Sequence, residues 1–291
     1  MPKLVSTIAA VLTASARIRS LGDRPVVVKL GGSAMEEPAA TRGMLESAAT
    51  LQSLGAKFVL VHGGGKPIDR AMEAAGLKPT KIQGRRYTDE ATLKIVVEVL
   101  LDLNRNLAAQ LDSFGATVRP YYEAECFPII GERLMLMGFD LQPIDLGRVG
   151  KIHQIQFEEF ETDLLNRTIP VIPSLALDSD GGWLNVNADS VAAGLAGALE
   201  SETVLFLTDT PGILKDRREP SSRIARLTVS ECRELISTGV VEGGMIPKAE
   251  ACFEALQAGA KRAVILDGRD PHALLAAFLS DEPMGTEIVK N

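Results

Sequence analysis

Six short runs rich in Val, Ile and Leu punctuate the chain, at 25–30, 57–61, 116–119, 169–172, 203–207 and 262–266. Runs of this length, apolar at nearly every position, predict strands covered on both faces. Between them apolar residues recur every three or four positions, which predicts helices over 37–54, 66–75, 89–113, 157–166, 188–199, 228–238, 245–258 and 271–279. Strands alternating with helices predict an α/β fold, a three-layer αβα sandwich with a mainly parallel central sheet.

Two stretches lack a clear period. Residues 78–88 and 119–152 predict hairpins or lids over the sheet edge, and "DSDGGW" at 178–183 reads as a hairpin turn. With no repeat or linker in the chain, two lobes sharing one sheet are expected, over 25–174 and 175–291. Ahead of them, Leu4, Ile8, Val11, Leu12 and Ile18 fall on helical spacing and predict an amphipathic helix within 1–24. The early Lys3 and the Ala14–Ala16 end also fit a secretory signal, although Ser6 and Thr7 interrupt its apolar stretch.

Charge and cysteine usage narrow the classes. A formal net charge of −7 argues against a general nucleic-acid binder, whose phosphate contacts need a basic surface. Cys126, Cys232 and Cys252 are odd in number and far apart, which predicts free thiols in a reducing, cytoplasmic setting and no zinc site. No run of 18 apolar residues predicts a membrane span.

The candidate chemistry lies where strands stop. "VVVKLGGSAM" and "KFVLVHGGGKPID" each end a strand on adjacent glycines with a helix to follow. In parallel sheets this carboxyl edge is where ligands bind, and glycines there bring backbone N–H groups close to an anion. The same glycines also read as plain tight turns. Lys29 sits inside the first buried strand, a costly place unless its ammonium emerges at the edge. Asn187 reads as a helix N-cap with Asp189 in the first turn, and Asn185 ends a strand facing the same cleft. Thr210-Pro211-Gly212-Ile213 suits a type II turn, which can be purely structural or can wrap a nucleotide. Lys248 begins a helix after two glycines, against the helix dipole, a conflict typical of functional sites. No P-loop or G-x-G-x-x-G fingerprint is present. His62, His153 and His272 are scattered and read as structural, and Lys66 reads as a solvated lysine.

Together, "VVKLGGSAM", "LVHGGGKPID", "GRRYT", "NVNAD", "LTDTPGIL" and "GGMIPK" resemble the amino acid kinase family in order and spacing, from about residue 25 to the C-terminus. Within it the chain is most similar to the branch that phosphorylates N-acetyl-L-glutamate in the arginine pathway. The resemblance implies an ATP-dependent kinase using Mg²⁺, with an acyl-amino-acid lobe over 25–174 and an ATP lobe over 175–291. It implies that Lys29 and Lys248 neutralise the phosphoryl group and that Asp189 orients both lysines. Gly31 and Gly32 would donate to the γ-phosphate, and Gly64 and Gly65 to the reacting carboxylate. Arg86 would fork the α-carboxylate beside Asn185, and Asp209, Thr210, Pro211, Gly212, Ile213 and Leu214 would hold ATP with the loop at 243–244. No protein metal ligand is implied. The helix at 4–22 and the segment 267–288 resemble those of hexameric, arginine-inhibited members, which implies a homo-oligomer, a trimer of dimers, with arginine feedback.

Three departures stand out. Gln83 and Arg85 flank Arg86 in place of the usual residues, 121–140 lacks the customary glycine-rich turn, and Arg148 and Lys151 replace an aromatic residue and a glutamate. Two alternatives therefore stay open: the same phosphoryl transfer to an aminoadipate or aspartate derivative, or a catalytically silent homologue that binds arginine or a regulatory protein.

Overall fold

The computed structural model describes residues 2–22, 24–32, 34–138, 141–280 and 283–291, with side chains from residue 11 onward. The chain opens with helix α1 (Pro2–Ser20), then strand β1 (Val26–Leu30), α2 (Pro38–Ser53), β2 (Phe58–His62) and α3 (Gly65–Ala74). A two-residue hairpin, β3 (Lys81–Ile82) and β4 (Arg85–Arg86), precedes the long α4 (Glu90–Ser113) and β5 (Val118–Pro120). Next come β6 (Ile129–Met137), β7 (Pro143–Ile155), α5 (Phe157–Leu165), β8 (Ile169–Pro173), β9 (Leu175–Leu177) and β10 (Trp183–Val186). The last part holds α6 (Ala188–Ala198), β11 (Thr203–Thr208), β12 (Arg226–Thr228), α7 (Val229–Ser237), α8 (Met245–Ala258), β13 (Arg262–Asp267), α9 (Ala273–Leu279) and β14 (Thr286–Val289).

Eight strands form one sheet in the order β12-β14-β13-β11-β1-β2-β8-β5, parallel throughout except where β14 runs against β13. All six predicted strands are in it. The two unpredicted members, β12 and β14, are short and lie at one edge. Val26, Val28 and Leu30 face a core closed by α2, α9 and Ile18 of α1, while Val27 faces a second core under α6 and α8. Alternation along β1 thus turns Lys29 to the α6 side.

Helix starts follow local chemistry. Asp89 caps α4 by accepting from the Thr92 N–H at 2.8 Å, and Thr228 with Glu231 closes a capping box on α7. Along α4, Val96, Leu100, Leu107 and Leu111 are buried, each contributing on the order of 1.5–3 kcal/mol. Asn104 lies fully buried among them.

The irregular region 119–152 is more ordered than its sequence suggests. Strands β6 and β7 form a long antiparallel hairpin, and β9 and β10 close it into a four-stranded barrel. The barrel joins strands from both sides of residue 174. Its last strand, β10, runs almost directly into α6, so barrel and sheet meet at the α6 N-terminus.

Candidate active site

Because β1 and β2 are parallel neighbours, with Leu30 paired to His62, their glycine ends lie side by side. A Cβ on Gly32 would stand 3.3 Å from the Gly65 nitrogen, and one on Gly63 would stand 3.3 Å from Ala188 Cβ at the start of α6. Two glycine turns and a helix N-terminus therefore pack with almost no side-chain volume between them. At this junction Lys29 Nζ meets Asp189 Oδ1 at 2.7 Å. Asn187 caps α6 by accepting from the Asp189 N–H, which places that carboxylate in the first turn.

Beside this pair is a cavity of about 230 Å³, reached by Lys29, Gly32, Gly64, Gly65, Arg86 and Asn185. Its far wall is tied together by Thr88, which is fully buried. The Thr88 hydroxyl donates to the Arg86 carbonyl and accepts from the Asn185 amide at 3.1 Å, while its carbonyl accepts from the Arg148 N–H. Gly147 holds φ +71° against this knot, and a Cβ there would stand 2.3 Å from the Thr88 oxygen, so only glycine fits.

A larger cavity of about 640 Å³ opens over the end of the neighbouring strand β11, between Asp209–Leu214 and the start of α8. Lys248 Nζ donates to Asp209 Oδ1 at 2.9 Å, and this bond, working against burial, holds the Asp209 carboxyl down at about 2. Gly212, at φ +127°, turns the chain against Thr286 of β14, whose hydroxyl accepts from the Ile213 N–H at 2.8 Å. Thr210 Oγ1, on the cavity wall, is buried without a hydrogen-bond partner among the described residues. That hydroxyl is free to bond a ligand or an ordered water in the cavity.

A model of the amino acid kinase family matches residues 24–267. The chain belongs to the amino acid kinase family. Its relatives include the acetylglutamate kinases of Brachyspira hyodysenteriae, 34% identical over 94% of this chain and 93% of that protein, and of Synechococcus elongatus, 37% identical over 94% and 88%. That of Methanocaldococcus jannaschii is 36% identical over 91% and 90%. Among solved structures, the chain is similar in fold to a Neisseria gonorrhoeae N-acetylglutamate synthase complexed with coenzyme A and N-acetyl-glutamate. The TM-score is 0.82 at 22% identity, over 98% of this chain and 63% of that one. The carbamate kinase of Giardia lamblia bound to AMP-PNP gives a TM-score of 0.62 at 17% identity, over 92% and 99%.

For a member of this family, the site departs from two expectations, at Asp189 and at Gly31. Asp189 was expected to orient both lysines, yet it bonds Lys29 while Lys248 turns to Asp209, because the lysines open onto different cavities. Gly31 was expected to donate to a phosphate, yet its N–H is spent on the Leu207 carbonyl at 3.0 Å, which leaves Gly32 as the glycine facing the cavity. Arg86, expected as the fork for the α-carboxylate, lines the smaller cavity beside Asn185. Its side chain is 8% exposed, paired with Asp69 at 2.5 Å and bonded to the Gly65 carbonyl. Lys66 is paired with Glu36 and lies outside both cavities.

Other site residues carried weaker sequence signals. Asp267 lines the larger cavity because β13 is parallel to β11, with Thr208 opposite Asp267. Burial pushes its carboxyl up, but the Arg269 guanidinium at 2.7 Å outweighs this and holds it below the usual range. "LDGRD" reads as an ordinary turn, so only its place at the carboxyl edge of a strand pointed to it. His62 and Asn104 are both fully buried. Asn104 donates to His62 Nε2 at 3.2 Å and to the Val171 carbonyl at 2.8 Å, which leaves His62 Nδ1–H to donate to the Gly63 carbonyl. Burial lowers the imidazole to about 4, so it braces the second glycine turn as a neutral ring.

Proposed function

We propose that this chain is an acetylglutamate kinase, transferring the γ-phosphoryl group of ATP to the side-chain carboxylate of N-acetyl-L-glutamate in arginine biosynthesis. The products are N-acetyl-L-glutamyl 5-phosphate and ADP. The observation that carries this reading is the pair of unequal cavities at the carboxyl ends of adjacent strands β1 and β11, each with its own lysine. The smaller has the dimensions of an acyl amino acid and the larger those of a nucleotide.

In this reading the acceptor carboxylate lies against Lys29, Gly32 and the N–H groups at the start of α3, which have no intrahelical partner. A carboxylate is already a competent nucleophile near neutral pH, so no base is required. One of its oxygens bonds to the γ-phosphorus as the bond to the bridging oxygen breaks and ADP leaves. Lys248 exchanges Asp209 for phosphate oxygens, Lys29 stays aligned by Asp189, and both lysines meet charge that develops in flight. Asn185, held by Thr88, faces the acid with the edge of Arg86. Among the described residues no three His, Cys, Asp or Glu side chains gather to cage a metal. Mg²⁺ would arrive on the ATP phosphates, within reach of Asp209 and Asp267, and there supply charge neutralisation.

The same proposal extends to the assembly. On α1, Ala14 and Ile18 are buried against the fold while Val11 and Leu12 are 57% and 62% exposed, an apolar face suited to a second copy in a hexamer, a trimer of dimers. The three free cysteines suit a cytoplasmic enzyme. Among the described residues no helix is long and apolar enough to cross a membrane. Arginine feedback goes with this assembly, and a flat activity titration with arginine would remove it. The central test is a hydroxylamine trap with MgATP over N-acetylglutamate, glutamate, aspartate and N-acetylaminoadipate. Hydroxamate is expected with N-acetylglutamate and lost in Lys248→Ala. Signal with another acid instead would overturn the substrate, and none with any acid would overturn the kinase.

A further inference from the structure

Helices α6 and α8 face the hairpin β3–β4 and the barrel across a cavity of about 390 Å³, next to the smaller one. Its floor is closed, since a Cβ on Gly194 of α6 would stand 2.9 Å from Ile152 Cδ1 of β7. Its walls stand apart. Arg85 of the hairpin and Glu254 of α8 both line it, and among the described residues Arg85 makes no hydrogen bond or ion pair. Glu254 has no ion pair there either and accepts only from Ser190 Oγ, at 3.4 Å. The other cation on this cavity, Lys151, is taken by Glu132 at 2.9 Å. Burial pushes the Glu254 carboxyl up, and Arg85 pulls it back across the gap. Opposite charges that act on each other across an open crevice without touching are a pair left unmade.

The two stand where making that pair has a consequence. Arg85 is joined to Arg86, which lines the acid cavity, and Glu254 follows Lys248 along the same helix by about 9 Å. Lys29 and Lys248 open onto different cavities. Transfer needs both lysines at one phosphoryl group, with reacting atoms about 3–3.5 Å apart, so the walls of the crevice have to approach. Resting on the acetylglutamate kinase reading, we infer that Arg85 and Glu254 are positioning residues for phosphoryl transfer: they pair as the crevice closes and hold the hairpin in register with the helix that carries Lys248. Neither touches the reacting atoms.

The test is a double-mutant cycle on kcat in the hydroxamate assay with N-acetyl-L-glutamate and MgATP. It runs over wild type, Arg85→Gln, Glu254→Gln, both together, and the reversed pair Arg85→Glu with Glu254→Arg. Loss of a charge-assisted pair that forms only on closure corresponds to roughly tenfold. Each single variant is expected to lose about that factor in kcat, with both KM values within about threefold. The double Gln variant should lose no more than either single, and the reversed pair should recover most of the rate. Because the pair is unmade in the ligand-free protein, the same cycle on urea unfolding should show no coupling. No loss, a loss in Arg85→Gln alone, additive losses, a reversed pair without recovery, or equal coupling in unfolding would each overturn the inference. Spin labels at Lys81→Cys on β3 and Gln257→Cys on α8, in a Cys126→Ser background, separate the two claims. If wild type makes no hydroxamate, the kinase reading fails. A label distance that shortens with N-acetyl-L-glutamate and a non-hydrolysable ATP analogue, and shortens less in Glu254→Gln, still supports the latch. No shortening in wild type, or equal shortening in the variant, overturns the latch as well.

Discussion

Lowering the pH should weaken this protein through one side chain, His62. The ring is fully buried at the end of β2, donates from Nδ1 to the Gly63 carbonyl and accepts at Nε2 from Asn104. It is therefore held neutral, and its value falls from 6.5 to about 4 in the folded state, chiefly by desolvation. The folded value lies below the unfolded one, so between these limits the unfolded chain carries the extra proton. Stability is then complete above about pH 6.5 and declines as the pH drops toward 4. The shift converts to a loss of about 2 kcal/mol at pH 5 and about 3 kcal/mol at pH 4. Urea unfolding at pH 7, 6 and 5 should be compared between wild type and His62→Gln, whose amide fills the site without titrating. Glu254, whose carboxyl is pushed up by burial, shifts stability in the opposite sense, but it is common to both proteins and cancels in the difference. Wild type should lose about 2 kcal/mol more than the variant on going from pH 7 to 5. Parallel profiles would refute the claim that a neutral imidazole braces the glycine turn.

Other consequences are as direct. Gly147→Ala forces a Cβ to 2.3 Å from the Thr88 oxygen at a left-handed backbone position, and should cost about 2–5 kcal/mol in urea unfolding while raising KM for the acid; a wild-type midpoint would contradict it. Lys29→Met removes the charge and strands Asp189, so kcat should fall roughly 10²–10³-fold with KM for MgATP within about threefold, whereas a change confined to KM would argue against a role in the transition state. Thiol titration of the native protein should find Cys126 alone, because Cys232 is buried and pushed up to about 11 and Cys252 is buried and raised further; in denaturant all three should react.

The sheet was legible because five of its six principal strands, β1, β2, β8, β11 and β13, are buried at most positions and so appear as mainly apolar runs. β14 and β12 escaped because strands of four and three residues, β12 at the edge and β14 beside it, leave little room for a pattern. The barrel escaped for a different reason. Beyond its first residues β6 alternates between half-buried and exposed positions, and its closure depends on β10 pairing with β7 and β9, which no local window contains. In the site, Lys29 and Lys248 were legible as local conflicts, a lysine in a buried strand and another against a helix dipole. Hydrogen-bond direction was not. Nothing in "KLGG" says that the Gly31 N–H is consumed by Leu207, nor does "GRRYT" say that Asp69, ahead of it in sequence, occupies the second arginine.

The passage from β10 into α6 makes the site a ruler. Asn185 is next to last in a strand locked on both sides, opposite Leu175 and Val149, and Asp189 follows four residues later in the first turn of the helix. The span from the group that faces the acid's tail to the group that aligns Lys29 is thus a fixed length of backbone. A residue inserted within β10 would turn that strand's side chains to the wrong face of the barrel. The opposite jaw, β3–β4, is a two-residue ladder outside both the sheet and the barrel. A lineage, or an engineer, seeking a shorter or longer acid would therefore recut the hairpin and leave the strand alone.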